Sequence, residues 1–274
     1  MRLVAFAVLA ACSSSKPSHT ADAPGGSHDG AISDGAGGSG ALTLPPANAK
    51  ADYQLGGAYT PPSGVMIVSR DRTEAPAAGL YNICYLNGFQ IQPGEESTWD
   101  ADLVLRNGSG QPVIDTAWNE ELIDVSAPKR ARVLAHVQTW MTGCKQAGYQ
   151  AFEIDNLDSY TRSQGLLTAD DAVAMMSMFS AAAHQLAMPI AQKNSSDLVV
   201  RKAELGTDFA VAEECDHYSE CDSYTAGYGD HVIVIEYVRA DFTTGCSAFP
   251  QLSIILRDRN LVTPSDAGYV YDGC

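Results

Sequence analysis

The sequence predicts an α/β protein built as a closed (β/α)8 barrel of the TIM type, preceded by a lipoprotein signal and a disordered linker. Three observations carry this. Short apolar runs alternate with longer connecting segments from residue 50 onward, the pattern of parallel strands joined by crossovers. The folded part, roughly 220 residues, suits one closed barrel. No glycine-rich phosphate loop follows any of the runs, which counts against the alternative of an open doubly wound sheet carrying a nucleotide site.

The N-terminal elements are processing signals. Met1-Arg2 supplies a positive start, residues 3–10 (LVAFAVLA) a short apolar run, and Leu9-Ala10-Ala11-Cys12 a lipobox. The run is too short to span a bilayer. Residues 1–11 therefore read as a signal peptide and Cys12 as a lipidated first residue, whose acyl chains anchor an exported, cell-envelope protein without a transmembrane helix. From residue 12 to 49 the chain is rich in Ser, Gly, Ala, Pro and Asp. Such a composition buries too little apolar surface to offset chain entropy, so a flexible tether is expected. Residues 50–274 form the folded domain, with a monomer expected.

Within that domain nine runs read as strands: Tyr53–Leu55, Val65–Val68, Leu80–Leu86, Leu122–Val125, Ala151–Asp155, Pro189–Gln192, Phe209–Glu213, Val232–Tyr237 and Leu252–Leu256. Eight staves need only eight, so one of the nine is an extra strand or a misreading. Two helices are well marked. Pro128 opens the first, Val133, Val137, Trp140, Met141 and Cys144 recur on one face, and Gly148 stops it. Thr168 and Asp171 make an acidic capping box for the second, whose buried stripe is Val173, Met176, Phe179, Ala183 and Leu186.

Apart from Cys12, the cysteines are Cys84, Cys144, Cys215, Cys221, Cys246 and Cys274. In an oxidising compartment this even set favours disulfides. Cys215–Cys221 and Cys246–Cys274 are the local pairings expected, although spacing alone leaves other connectivities open. A zinc site around residues 214–221 (ECDHYSEC) lacks a CxxC pair, and no metal or cofactor is implied. The formal net charge of −16 argues against nucleic acid as a partner, since phosphate neutralisation needs a basic face. It is compatible with a cationic partner.

Acids end several apolar runs: Asp124, Glu153 with Asp155, Glu213 and Glu236. An unpaired carboxylate costs several kcal/mol to bury. In a barrel, however, strand C-termini line the active site, and residues two apart point the same way. Glu153 and Asp155 would then both face inward, with Asp155 nearer the mouth. Paired carboxylates cleave glycosidic bonds, or alternatively bind a divalent metal for hydrolysis. Lys193, with Asn194 after it, could hold one acid ionised. His184 and His217 read as structural.

The segments YQLGG (53–57), YNICYLNGFQI (81–91), WNEELIDV (118–125), GYQAFEIDNLDSY (148–160), AAAHQLAMPIAQKNSSDL (181–198), DFAVAEECDHYSEC (208–221) and HVIVIEY (231–237) occur in this order. Together they resemble glycoside hydrolase family 114, the endo-α-1,4-polygalactosaminidases. The resemblance implies a TIM-type barrel hydrolysing a cationic, galactosamine-rich polysaccharide without a cofactor. It implies Asp155 as nucleophile and Glu213 as acid/base. Glu120, Asp124, Lys193, Asn194 and Glu236 match polar positions of the substrate-contacting shell; Glu153, Asn156, Asp158 and Tyr237 join them from the same strand ends. Tyr53 and Leu122 stand where the family usually has Trp, and Ala212 and Glu214 where Asn and Gln are common. An added acid beside Glu213 would raise its pKa if the two approach closely. A non-catalytic sugar-binding lipoprotein and a metal-dependent hydrolase are the alternative functions.

Overall fold

A computed structural model describes residues 42–274. The expected signal peptide, Cys12 and most of the expected linker lie outside the described residues. The linker's last residues, by contrast, are packed on the domain. Pro45 is buried with its carbonyl 3.1 Å from His231 Nδ1, and the Ala49 N–H donates to Ser253 Oγ.

The domain opens with three parallel strands, β1 (Ala51–Gln54), β2 (Ile67–Asp71) and β3 (Tyr81–Asn87). Three short strands follow, β4 (Gln90–Ile91), β5 (Ile114–Asp115) and β6 (Glu120–Leu122), and then helix α1 (Arg130–Ala147). Strands and helices then alternate: β7 (Ala151–Asp155), α2 (Ala169–Gln185), β8 (Ile190–Lys193), α3 (Lys202–Leu205) and β9 (Phe209–Glu213). The chain closes with α4 (Cys221–Tyr228), β10 (Val232–Glu236), α5 (Arg239–Ala248), β11 (Ser253–Arg257) and β12 (Tyr271–Gly273).

The main sheet runs β1-β2-β3-β7-β8-β9-β10-β11, all parallel, with β12 added antiparallel to β11. These eight parallel strands are the staves. At the seam, β1 and β11 are joined by side chains: the fully buried Arg257 donates to Asp52 Oδ1 and to the Tyr53 carbonyl. The first two connections, residues 55–66 and 72–80, carry no helix.

Of the nine strands read from the sequence, Leu122–Val125 is the misreading. Leu122 ends β6, whose sheet partners are β4 and β5 in a separate antiparallel sheet inserted between β3 and α1. The run is apolar because Leu122, Ile123 and Val125 are all buried under this insert, and a short buried run looks the same in either setting.

Alternation along the staves separates two cores. Ala51, Tyr53, Ile67, Ile83, Ala151, Ala191, Phe209, Val211, Ile233, Ile235 and Ile255 fill the barrel interior. Phe152, Ile154 and Ile190 face α1 and α2, while Ala210, Ala212, Val232, Val234, Ile254 and Leu256 face α4 and α5. Helix α1 buries Val133, Val137, Met141 and Cys144 of the expected stripe and leaves Trp140 half-buried, each large apolar side chain being worth roughly 1.5–3 kcal/mol when fully buried. It ends at Gly148, whose φ of 101° is a left-handed cap that glycine takes without strain. Helix α2 begins with the expected Thr168–Asp171 capping box. Gly88 is required by packing, since a Cβ there would lie 2.4 Å from Ile154 Cγ2.

Three disulfides fasten the layers: Cys84–Cys144 ties β3 to α1, Cys215–Cys221 closes the loop after β9, and Cys246–Cys274 ties α5 to the C-terminus. Both local pairings expected from spacing are present. The sulfurs of residues 214–221 are bonded to each other rather than free to hold zinc. Such bonds suit an extracellular or periplasmic setting. Among the described residues, no helix is long and apolar enough to cross a membrane.

Candidate active site

Three neighbouring staves bring charged side chains to one point. By alternation Asp155 follows Ala151 and Glu153 on the inner face of β7, Lys193 follows Ala191 on β8, and Glu213 follows Val211 on β9. Lys193, 2% exposed, is the hub. Its Nζ lies 3.1 Å from Asp155 Oδ1, 3.2 Å from Glu213 Oε2 and 3.4 Å from Glu153 Oε1. Nζ also donates to the Tyr53 hydroxyl at 3.1 Å. Burial alone would lower the lysine pKa, but the charges of Asp155, Glu213 and Glu153 hold it well above its usual range.

The carboxylates differ in what surrounds them. Asp155 accepts from the Tyr85 hydroxyl at 2.5 Å and from the Asn156 N–H at 2.8 Å. Burial pushes its pKa up, yet Lys193 and these donors outweigh burial and hold it below the usual carboxylate value. Glu213 accepts from Asn194 Nδ2 at 3.0 Å and from the Tyr237 hydroxyl. Glu153 has no exposed surface. It accepts from Tyr53 OH at 2.6 Å and Ser69 Oγ at 2.7 Å, and burial raises its pKa against the pull of Lys193. Burial and the neighbouring carboxylates push the Tyr53 and Tyr85 pKa values upward, so both phenols act as neutral donors.

Each of these staves is followed by a residue with positive φ: Asn156 at 66°, Asn194 at 49° and Glu214 at 58°. Asparagine tolerates this region, and strain of this kind collects where a chain must turn sharply at a site. The turn at Asn156 sets its Nδ2 3.1 Å from Asn87 Oδ1. The turn at Glu214 pairs that carboxylate with Arg259 in the wall of the same cleft.

Above the hub opens a cleft of about 940 Å³. Asp155, Glu213, Lys193, Asn156, Asn194, Asp158, Tyr237 and Glu120 all line it. Asp158 is paired with Arg162 at 2.7 Å. Glu120, on the inserted sheet, accepts from Asn87 Nδ2 at 3.0 Å. Burial, with the nearby charges of Asp155 and Asp115, pushes its pKa up to about 7.

Three expected site residues do not reach the cleft. Glu153 lies in the barrel interior behind Lys193. Asp124 belongs to no stave; its carboxylate accepts the Ser126 N–H at the turn into α1. Glu236 follows Val232 and Val234 on the outer face of β10, where Oε1 accepts the Asp216 N–H at 2.9 Å and Oε2 has no partner among the described residues. The inward residue at the end of that stave is Tyr237. The sequence reading missed Tyr85, Asn87, Asp115, Arg162, Trp118 and Tyr218. Period-two counting from Ile83 would have found Tyr85 and Asn87. Asp115 ends β5, which is too short to show a period, and the other three sit in connections, where no period applies.

The two positions at which tryptophan is absent are both internal. Tyr53 is 2% exposed and its hydroxyl belongs to the hub, while Leu122 is fully buried in the core. Among the described residues, no group of three or more His, Cys, Asp and Glu side chains is arranged to hold a metal ion.

The model of glycoside-hydrolase family GH114 matches residues 34–274. No curated protein matches the sequence. Among solved structures, the chain is similar to Aspergillus fumigatus Ega3 in complex with galactosamine, at 21% identity and a TM-score of 0.67, covering 86% of this chain and 100% of that one. It is also similar to the glycoside hydrolase domain of PelA from Pseudomonas aeruginosa, at 14% identity and a TM-score of 0.55, covering 81% of this chain and 97% of that one. At these identities the two structures show a shared fold.

Proposed function

Because the chain belongs to glycoside-hydrolase family GH114, we propose that it cleaves α-1,4-linked, galactosamine-rich polysaccharide within the polymer, using Asp155 and Glu213 as the working carboxylates. The observation that carries this reading is the shared hub: two cleft-lining acids on the inner faces of β7 and β9, both paired with the buried ammonium of the stave between them. Asp155 attacks the anomeric carbon while Glu213 gives a proton to the departing glycosidic oxygen. This forms a glycosyl–Asp155 ester, which water activated by Glu213 then hydrolyses. Three donors that keep Asp155 ionised suit a nucleophile.

Retention of configuration is supported by spacing. Asp155 Oδ1 and Glu213 Oε2 are 3.1 and 3.2 Å from the same nitrogen, and two acids drawn together by one ammonium suit the short spacing of retaining pairs better than the roughly 6.5–9.5 Å that gives an inverting pair room for a water. Three disulfides support export, and we extend the proposal to anchoring through lipidated Cys12. Wild-type protein should partition into the detergent phase of a membrane extract and Cys12→Ser should not. An unmodified, freely secreted wild type would refute the anchor. The activity is tested by turnover of partly de-N-acetylated galactosaminogalactan with and without a chelator. Release of shorter fragments in both conditions is expected. Binding without cleavage would leave a sugar-binding protein, and loss on chelation a metal-dependent hydrolase.

A further inference from the structure

The reaction leaves two exposed aromatic side chains of the cleft, Trp118 and Tyr218, without a task, and Tyr218 meets the His217 ring edge-on. Trp118 is 65% exposed although it lines the same cleft as Asp155 and Glu213. Leaving an indole bare forgoes burial of on the order of 150–250 Å² of surface. The other two tryptophans are packed: Trp99 stacks on His136, and Trp140 meets both and carries Arg72 over its ring.

The backbone beneath Trp118 is nevertheless fixed. Asp115, 4% exposed, accepts the Ala117 N–H at 2.9 Å and pairs with Arg162 Nε at 2.7 Å. Asn119 turns the chain with φ of 58°, and Glu120 beyond it is held by Asn87. A turn anchored on both sides therefore presents a ring with no aromatic or cationic partner among the described residues. That is the arrangement expected of a pre-organised contact rather than a loosely placed side chain.

The surroundings select what could lie on the ring. An amino sugar has an apolar C–H face and, on its edge, an ammonium group. An indole face attracts both C–H groups and cations, and Glu120, two residues away and lining the same cleft, offers a charge-assisted partner. Trp118 comes from the connection after β3, and Glu213 ends β9, three staves further round the mouth. A polymer crossing from one to the other passes over Lys193 and Asp155. We propose that Trp118 is a stacking platform for a sugar ring next to the one being cleaved, with Glu120 receiving that ring's ammonium group. This rests on the hydrolase reading and names a subsite within it.

The test uses de-N-acetylated galactosaminogalactan fragments graded by length. Trp118→Ala should raise KM for long fragments about tenfold, the equivalent of 1.4 kcal/mol, with kcat within twofold and the shortest cleavable fragments unaffected. Trp118→Phe, which keeps a ring, should recover part of the loss. Independently of turnover, bound polymer should shield wild-type fluorescence from acrylamide quenching, and Trp118→Phe should abolish that shielding. An unchanged KM in an active Trp118→Ala enzyme would overturn the platform, as would an equal loss of kcat at every length. A wild type that is shielded but does not cleave would sink the hydrolase reading and leave the platform standing. A wild type showing neither effect would sink both.

Discussion

Asp155 and Glu153 lie two residues apart on one strand and touch the same ammonium, yet their surroundings assign them different work. Asp155 lines the cleft, and donors hold its negative charge in place. Glu153 is sealed below it, and what it supports is Lys193 and the hydroxyls of Tyr53 and Ser69. Asp155→Asn removes the nucleophilic charge at nearly constant shape. The protein should stay folded while hydrolysis falls by several orders of magnitude. Glu153→Gln keeps the bond from Tyr53 but loses the attraction to Lys193. It should cost about 1–3 kcal/mol of stability and leave measurable turnover. Thermal melts beside initial rates would separate the two, and near-normal hydrolysis by homogeneous Asp155→Asn would remove it as nucleophile. That Asp155 faces the mouth was legible from Ala151 onward, because the period of two carries over. The same counting, applied from Val232, places Glu236 on the outer face, where an acid at a strand end had suggested the mouth.

At the level of elements, the eight staves and helices α1 and α2 were legible because each has a buried period and a marked end. The inserted sheet was not. Its strands are two or three residues long, too short to show a period, and its apolar tail resembled a stave. The misreading hid the contrast between Glu120 and Glu236, both pushed up to about 7 by burial. A carboxyl raised from its usual 4.5 keeps a proton in the fold that the unfolded chain has lost. Stability should therefore fall as pH rises from about 4.5 through 7 and level off above. Glutamine does not titrate, so Glu236→Gln and Glu120→Gln should each flatten this slope. For fully buried Glu236 the gain at pH 8 is on the order of 3 kcal/mol. Only Glu120, in the cleft wall, should also change KM for the polymer. Melting curves across pH 4–8 read the first effect. A slope unchanged in Glu236→Gln would mean its carboxyl titrates normally.

Over the whole molecule the net charge of −16 is not spread without consequence, since nine acids and three basic side chains line the cleft. Several acids are spoken for: Lys193 is ringed by three carboxylates, Arg162 pairs with Asp115 and Asp158, and Arg259 with Glu214. All three basic groups are thus already matched, and the remaining field at the mouth is negative. A polycation is drawn to such a cleft before any specific contact forms, and its capture is sensitive to ionic strength. Screening shortens the field's reach to about 10 Å at 0.1 M salt and about 3 Å at 1 M. For a highly de-N-acetylated polymer, kcat/KM should therefore fall steeply as salt rises over this range, chiefly through KM. For a largely N-acetylated polymer of the same length it should change little, because acetylation removes the positive charge but not the sugar faces. Asp155 and Glu213 are held within hydrogen-bonding distance of Lys193, where added salt screens them far less than it screens the mouth. Turnover at saturating polymer should therefore be nearly independent of salt. Equal salt dependence for both polymers would show that the acidic mouth does not capture substrate by charge, and would leave stacking and hydrogen bonds as the source of affinity.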